Sequence, residues 1–256
     1  MGNPIFSCEH IGVRFGGVQA LSEVSFAAQQ GAITSIIGPN GAGKTTFLNV
    51  ISGMVTQDQG TLFFNNQDIS QTKAHERAAL GMLRTFQNLE IFSNMTVLEN
   101  VAVGCHGRFT LPLWHNVLRT PSSRRLENLV HDQALAALDF VGMSTAASSL
   151  AKDLAFGQQR LLELARALAA KPRLLLLDEP AAGLNIAETK FLAELIMRIR
   201  DSYDLSVILV EHDMDLVMGI SDAIMVLSFG QTISHGTPVQ VQKDPRVIAA
   251  YLGTDD

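Results

Sequence analysis

The run Gly38-Pro39-Asn40-Gly41-Ala42-Gly43-Lys44-Thr45-Thr46 constrains this chain more than any other feature, because it follows directly on the branched stretch Ala32-Ile33-Thr34-Ser35-Ile36-Ile37. It satisfies G-x-x-x-x-G-K-[ST] in the setting that gives the pattern meaning, between a strand and a helix. Glycines there let successive backbone N–H groups turn inward around a chain of phosphates. A helix starting near Lys44 aims the positive end of its dipole at the same place. Lys44 is a compact cation suited to the β- and γ-phosphates. Thr45 can offer its hydroxyl to Mg²⁺, and Thr46 can bond the α-phosphate.

Periodicity organises the rest. From residue 157 the pattern predicts a helix over 157–170, a strand over 173–177, a helix over 186–200, a strand over 205–210, a helix over 214–220 and a strand over 223–227. Strands that are near-continuous Leu, Val and Ile, separated by helices, imply a parallel sheet covered on both faces. Ligands of such sheets sit beyond the carboxyl ends of the strands. The first third reads as strands and turns, with 24–28 and 60–64 as short strands. The middle changes character: helices over 96–104 and 126–140 flank an irregular, locally basic stretch, 108–125, which holds the single tryptophan, Trp114. This predicts a core over 1–87, a helical part over 88–156 and the remainder of the core over 157–256.

The strand Arg173-Leu174-Leu175-Leu176-Leu177 runs into Asp178-Glu179-Pro180. A carboxylate beside four leucines needs a reason to stay charged, and a nearby Mg²⁺ supplies one for Asp178. Glu179, one step on, faces differently and is placed to polarise an attacking water. Gln87 and His212 also follow strand-like runs, although a helix cap or a surface histidine accounts for either alone.

The 256 residues carry 19 Lys and Arg against 25 Asp and Glu, a net charge of −6, which argues against a general nucleic-acid binder. Apolar runs are strand-length, short of the ~18–20 residues of a membrane span. Met1-Gly2-Asn3-Pro4 lacks the pattern of a signal peptide. Cys8 and Cys105 have no metal or redox spacing and are expected to be reduced and structural.

In combination and in order, residues 38–46, Gln87, Leu154-Ala155-Phe156-Gly157-Gln158-Gln159-Arg160, 174–180, Ala182-Gly183-Leu184-Asn185 and Glu211-His212-Asp213 resemble an ATP-binding cassette (ABC) ATPase. Residues 15–21, 83–100, 211–222 and 245–253 are similar to the larger ATPase subunit of branched-chain (hydrophobic) amino acid uptake transporters. The resemblance implies an α/β P-loop NTPase core with a mostly parallel sheet, an antiparallel β subdomain and a helical subdomain. It implies ATP and Mg²⁺ as cofactors, with Thr45, Gln87 and Asp178 on the metal side. Glu179 is then the base, Lys44 and His212 hold the γ-phosphate, and Gln87 reaches the attacking water. Phe15 takes the position that stacks on adenine. Ala155, Phe156, Gly157 and Gln158 form the signature loop that completes a partner's site, and Asn185 lies in a loop at the dimer interface.

Two departures accompany the resemblance. Ala155 and Phe156 stand where most cassettes have Ser and Gly, and Asn185 stands for Asp. The absent hydroxyl is worth on the order of 1–3 kcal/mol against a charged acceptor. The implied partners are a second ATPase subunit, identical or related, two membrane permease subunits and, indirectly, a periplasmic binding protein. The implied location is the cytoplasmic side of the inner membrane. Importers of urea, amides or other amino acids, and a non-transport assembly ATPase, are the alternatives. Residues 88–95, apolar yet just past Gln87, are the expected groove for a permease helix.

Overall fold

The computed structural model describes residues 4–85, 91–105 and 121–252, without the side chains of 121–124 and 252. Gln87, residues 88–90 of the expected groove and Trp114 lie outside the described residues. The chain divides into two units, Met1–Arg84 with Arg173–Asp256, and Thr85–Pro172. In chain order the elements begin with β1 (Pro4–Phe15), β2 (Val18–Gln29), β3 (Ile33–Ile37), α1 (Lys44–Ser52), β4 (Gln59–Phe64), β5 (Gln67–Asp68), α2 (Ala74–Ala79) and β6 (Met82–Arg84). The second unit holds α3 (Val97–Cys105), α4 (Pro121–Phe140) and α5 (Phe156–Ala169). The first unit resumes with β7 (Leu174–Asp178), α6 (Ile186–Tyr203), β8 (Ser206–Val210), α7 (Met214–Ile220) and β9 (Ala223–Ser228). It ends with β10 (Gln231–Gly236), α8 (Pro238–Gln242) and α9 (Pro245–Leu252).

The first unit contains two sheets. One is antiparallel, in the order β2-β1-β4-β5; the other has the order β10-β9-β3-β8-β7-β6. Within the second, β9, β3, β8, β7 and β6 run parallel and β10 returns antiparallel to β9. Every residue of β3, β7 and β8 is buried, as branched and leucine-rich strands covered on both faces require. Each buried leucine of β7 contributes about 1.5–3 kcal/mol by leaving water.

The antiparallel sheet and α1 share one core with the parallel strands: Phe6, Phe26, Phe47, Leu48, Leu174, Ile208 and Met225 belong to a single cluster. Phe26 meets the edge of Phe47 with ring centres 5.6 Å apart. Helix α1 stops at Gly53, whose left-handed φ of 77° lets its N–H return to the Asn49 and Val50 carbonyls. The buried Arg77 guanidinium donates to the Val50 and Ile51 carbonyls at 2.6 and 2.8 Å, satisfying the end of the same helix.

In the second unit α3, α4 and α5 pack on one another. A Cβ on Gly104 would lie 2.1 Å from the Arg166 carbonyl oxygen, so only glycine permits this approach of α3 to α5. Thr96 and Glu99 cap α3 reciprocally, with the Thr96 N–H donating to Glu99 and the Glu99 N–H to Thr96. Asn100, fully buried, accepts the Phe92 N–H at 2.9 Å and donates to the Phe92 and Thr96 carbonyls. That clamp holds Phe92 half-exposed, with the Arg166 guanidinium 5.7 Å from its ring centre.

Candidate functional site

Register places the site. Ile36 pairs with Val210, and Val210 pairs with Asp178, so the ends of β3, β8 and β7 form one row across the sheet. Beyond that row the three chains continue as the glycine-rich loop, as Glu211-His212 and as Glu179. With strands spaced about 4.8 Å apart, the loop and the acids face each other across the width of β8.

Glycine is required at both ends of the loop. Gly38 has φ 153°, and a Cβ there would lie 2.1 Å from the Leu227 carbonyl oxygen; Gly43 has φ 100° with Ala20 O at 2.9 Å. The β9–β10 turn braces the loop, as the Gly230 N–H donates to Ala42 O at 3.0 Å. Helix α1 then begins with no side-chain cap and no acidic residue in its first turn, which leaves its leading amides and dipole for an anion. Lys44 is 8% exposed and donates to Gly38 O at 2.7 Å and Pro39 O at 3.0 Å. Burial lowers the pKa of its ammonium, and the Glu179 and Asp178 carboxylates act in the opposite sense, in that order. The cation of the loop therefore feels both acids that follow the β7 leucines. Asn40, Gly41 and Thr45 are exposed around it, and Pro39, Gly43 and Thr46 partly so.

Asp178 is 3% exposed and paired with Arg84, whose Nη2 donates to its Oδ2 at 2.8 Å. Glu179 leaves the strand in a left-handed conformation, φ 46°, with its N–H on Val210 O at 2.8 Å. Such a conformation is costly for a residue with a Cβ and is retained where side-chain direction matters. It turns Glu179 toward His212, whose Nδ1 stands 3.9 Å from Glu179 Oε2 and 3.8 Å from Glu211 Oε2. Glu211 is buried and accepts three backbone N–H groups, from Ala181 at 2.8 Å, His212 at 2.9 Å and Asp213 at 3.3 Å.

The remaining expected residues divide by unit. Phe15 ends β1 half-exposed, at a hairpin turned by Gly16. Asn185 caps α6: its side-chain oxygen accepts the Ala187 and Glu188 N–H groups at 3.0 Å each. In the second unit, Ala155 precedes α5, and Gln158 accepts the Ala155 N–H at 3.1 Å. Phe156 opens the helix with 45% of its surface exposed and the Arg160 guanidinium 5.6 Å from its ring centre; Gly157 follows.

Thr45 and Asp178 suit Mg²⁺. That ion takes one or two protein oxygens and completes its shell with phosphate oxygens and water. No group of three or more His, Cys, Asp or Glu that could hold a metal occurs among the described residues. Sequence reasoning missed Arg84 and the role of Glu211. The only available signal was a charged residue in each of two apolar runs, Met82-Leu83-Arg84 and 206–211.

A family model described as ABC transporter matches residues 21–182, and one described as branched-chain amino acid ATP-binding cassette transporter matches residues 231–256. The chain is 42% identical over 253 residues to the high-affinity branched-chain amino acid transport ATP-binding protein LivG of Escherichia coli K12, covering 99% of both chains. It is 41% identical to BraF of Pseudomonas aeruginosa, of the same description, again over 99% of both. Among solved structures, a nucleotide-free ATP-binding cassette from an ABC transporter superposes with TM-score 0.84 at 32% identity, covering 98% of this chain and all of that one. An ATP-binding cassette of an ABC transporter in its ADP conformation gives TM-score 0.85, also at 32% identity, over 98% and 99% of the two chains.

Proposed function

The chain belongs to the ABC transporter family as an ATP-hydrolysing subunit, and we propose that it powers the uptake of branched-chain amino acids from the cytoplasmic side of the membrane. The observation that supports the reading is the single row Ile36–Val210–Asp178, beyond which a glycine-rich loop, two acids and a histidine follow the strand ends. Near-full-length identity to LivG and BraF, together with the family match at 231–256, supports the substrate class.

In this reading the loop amides and Lys44 bind the β- and γ-phosphates, and Phe15 stacks on the base. Thr45 and Asp178, with Gln87, would hold Mg²⁺, which would supply positive charge to offset that of the phosphates. Glu179 accepts a proton from the attacking water, and His212 orients the γ-phosphate. Rate then comes from positioning and charge stabilisation rather than covalent chemistry. The signature loop, Ala155 to Gln158, serves a second ATPase subunit's nucleotide, so binding draws two subunits together and hydrolysis releases them. No helix among the described residues is long and apolar enough to cross a membrane, and the proposed route for the solute runs through separate permeases.

The test is uptake of labelled leucine, isoleucine and valine by cells in which this chain is the only ATPase of its kind. The expected result is uptake that Glu179→Gln abolishes. Equal uptake with and without the chain overturns the proposal.

A further inference from the structure

Arg84 lies at the end of β6, opposite Leu176 of β7 in the parallel register. Its guanidinium forks. Nη2 donates to Asp178 Oδ2 at 2.8 Å, while Nη1 donates to Asn49 Oδ1 at 2.6 Å and to Ser52 Oγ at 3.1 Å. Both ends of the ion pair are nearly dry, with side-chain exposures of 8% and 3%. Asn49 and Ser52 belong to α1, the helix whose first residues are Lys44 and Thr45. One planar group thus ties the strand that carries Asp178 to the helix that carries the phosphate lysine. A guanidinium can make this bridge because its donors sit in a fixed fork, which an ammonium lacks.

A carboxylate at the end of a leucine strand has few partners to fix its rotation. Arg84 occupies one oxygen and fixes the plane of the group, so the other oxygen has a defined direction. We infer that Arg84 is a positioning residue for the metal-side acid: it locks the Asp178 carboxylate in register with Lys44 and Thr45, so that the Mg²⁺ of a bound nucleotide meets a preset oxygen. The inference rests on the proposed ATPase site and adds to it a residue that touches neither nucleotide nor metal.

Simple electrostatics opposes the inference, which makes it testable. A cation beside Asp178 repels Mg²⁺, so a merely electrostatic Arg84 would weaken metal binding, and its removal would strengthen it. A positioning Arg84 gives the reverse.

The experiment measures ATP affinity without metal and then as a function of Mg²⁺, by equilibrium binding to the whole chain, for Arg84→Gln, Arg84→Lys and Asn49→Ala. Wild-type protein that binds and hydrolyses MgATP establishes the underlying site independently. For Arg84→Gln we expect metal-free ATP affinity within about twofold of wild type and a Mg²⁺ requirement raised about tenfold, the loss of one charged hydrogen bond. Arg84→Lys, which keeps a cation beside the buried acid, and Asn49→Ala, which keeps Arg84 on it, should shift the requirement the same way by about threefold. In an Asp178→Asn background the Arg84→Lys shift should vanish. A lowered or unchanged Mg²⁺ requirement, an equal loss of metal-free binding, or an Arg84→Lys shift that persists in the Asp178→Asn background overturns the inference.

Discussion

The Glu211 carboxylate accepts the backbone N–H of Ala181 at 2.8 Å across 30 residues of sequence, tying the turn after Glu179 to the strand end that presents His212. Its other oxygen accepts the His212 and Asp213 N–H groups, so one buried side chain fixes both catalytic candidates. Three amides facing one carboxylate also satisfy the charge without a cation.

Glu211→Ala should therefore act on turnover more than on binding. It leaves buried N–H groups without an acceptor, at a cost on the order of 1–3 kcal/mol. The melting temperature should fall by about 2–4 °C for each of those kcal/mol. We expect kcat to fall about tenfold, the equivalent of one such bond, while ATP affinity holds. Steady-state kinetics with a thermal melt checks both.

Lys44→Ala removes the cation that lies over the loop, 2.7 Å from Gly38 O. A charged hydrogen bond to phosphate is worth about 1.5–3 kcal/mol, so ATP affinity should fall about tenfold or more. Titration with ATP gives the answer, and unchanged affinity removes Lys44 from the phosphate site.

Phe92→Asp probes the part of the expected groove that lies within the described residues. Phe92 is half-exposed, and its backbone is held by Asn100, so its ring is available without the fold depending on it. We expect ATP binding to be preserved and permease assembly or substrate uptake to be lost. Normal co-purification with permeases contradicts this role.

The thiols provide a check on the packing. Cys8 is 2% exposed, and burial pushes its thiol up to about 12; Cys105 is fully buried. A disulfide-exchange reagent at mildly alkaline pH should find neither thiol in the folded protein and both after denaturation.

What could be read from the sequence was local. Residues 32–46 announce their strand, turn and helix because branched residues, positive-φ glycines and the helix start are adjacent. Leucines 174–177 likewise declare a doubly covered strand. By contrast, β1 and β10 escaped: β1 is interrupted by register shifts and by His10 at φ 52°, which breaks its alternation. β10, Gln231-Thr232-Ile233-Ser234-His235-Gly236, has a mostly polar edge composition. The Arg84–Asp178 pair joins residues 94 apart, and no spacing in a single sequence encodes it. Asn185 reads as a departure at an interface loop, yet its side chain closes a capping box with Glu188, a signature that the sequence does carry.

The most direct test is a crystal structure of the Glu179→Gln variant with ATP and Mg²⁺. The β- and γ-phosphates should lie inside loop 38–46 within hydrogen-bonding distance of Lys44 Nζ, with residue 179 and His212 facing the γ-phosphate. A nucleotide bound elsewhere, or a loop that keeps Lys44 on Gly38 O while ATP is present, contradicts it.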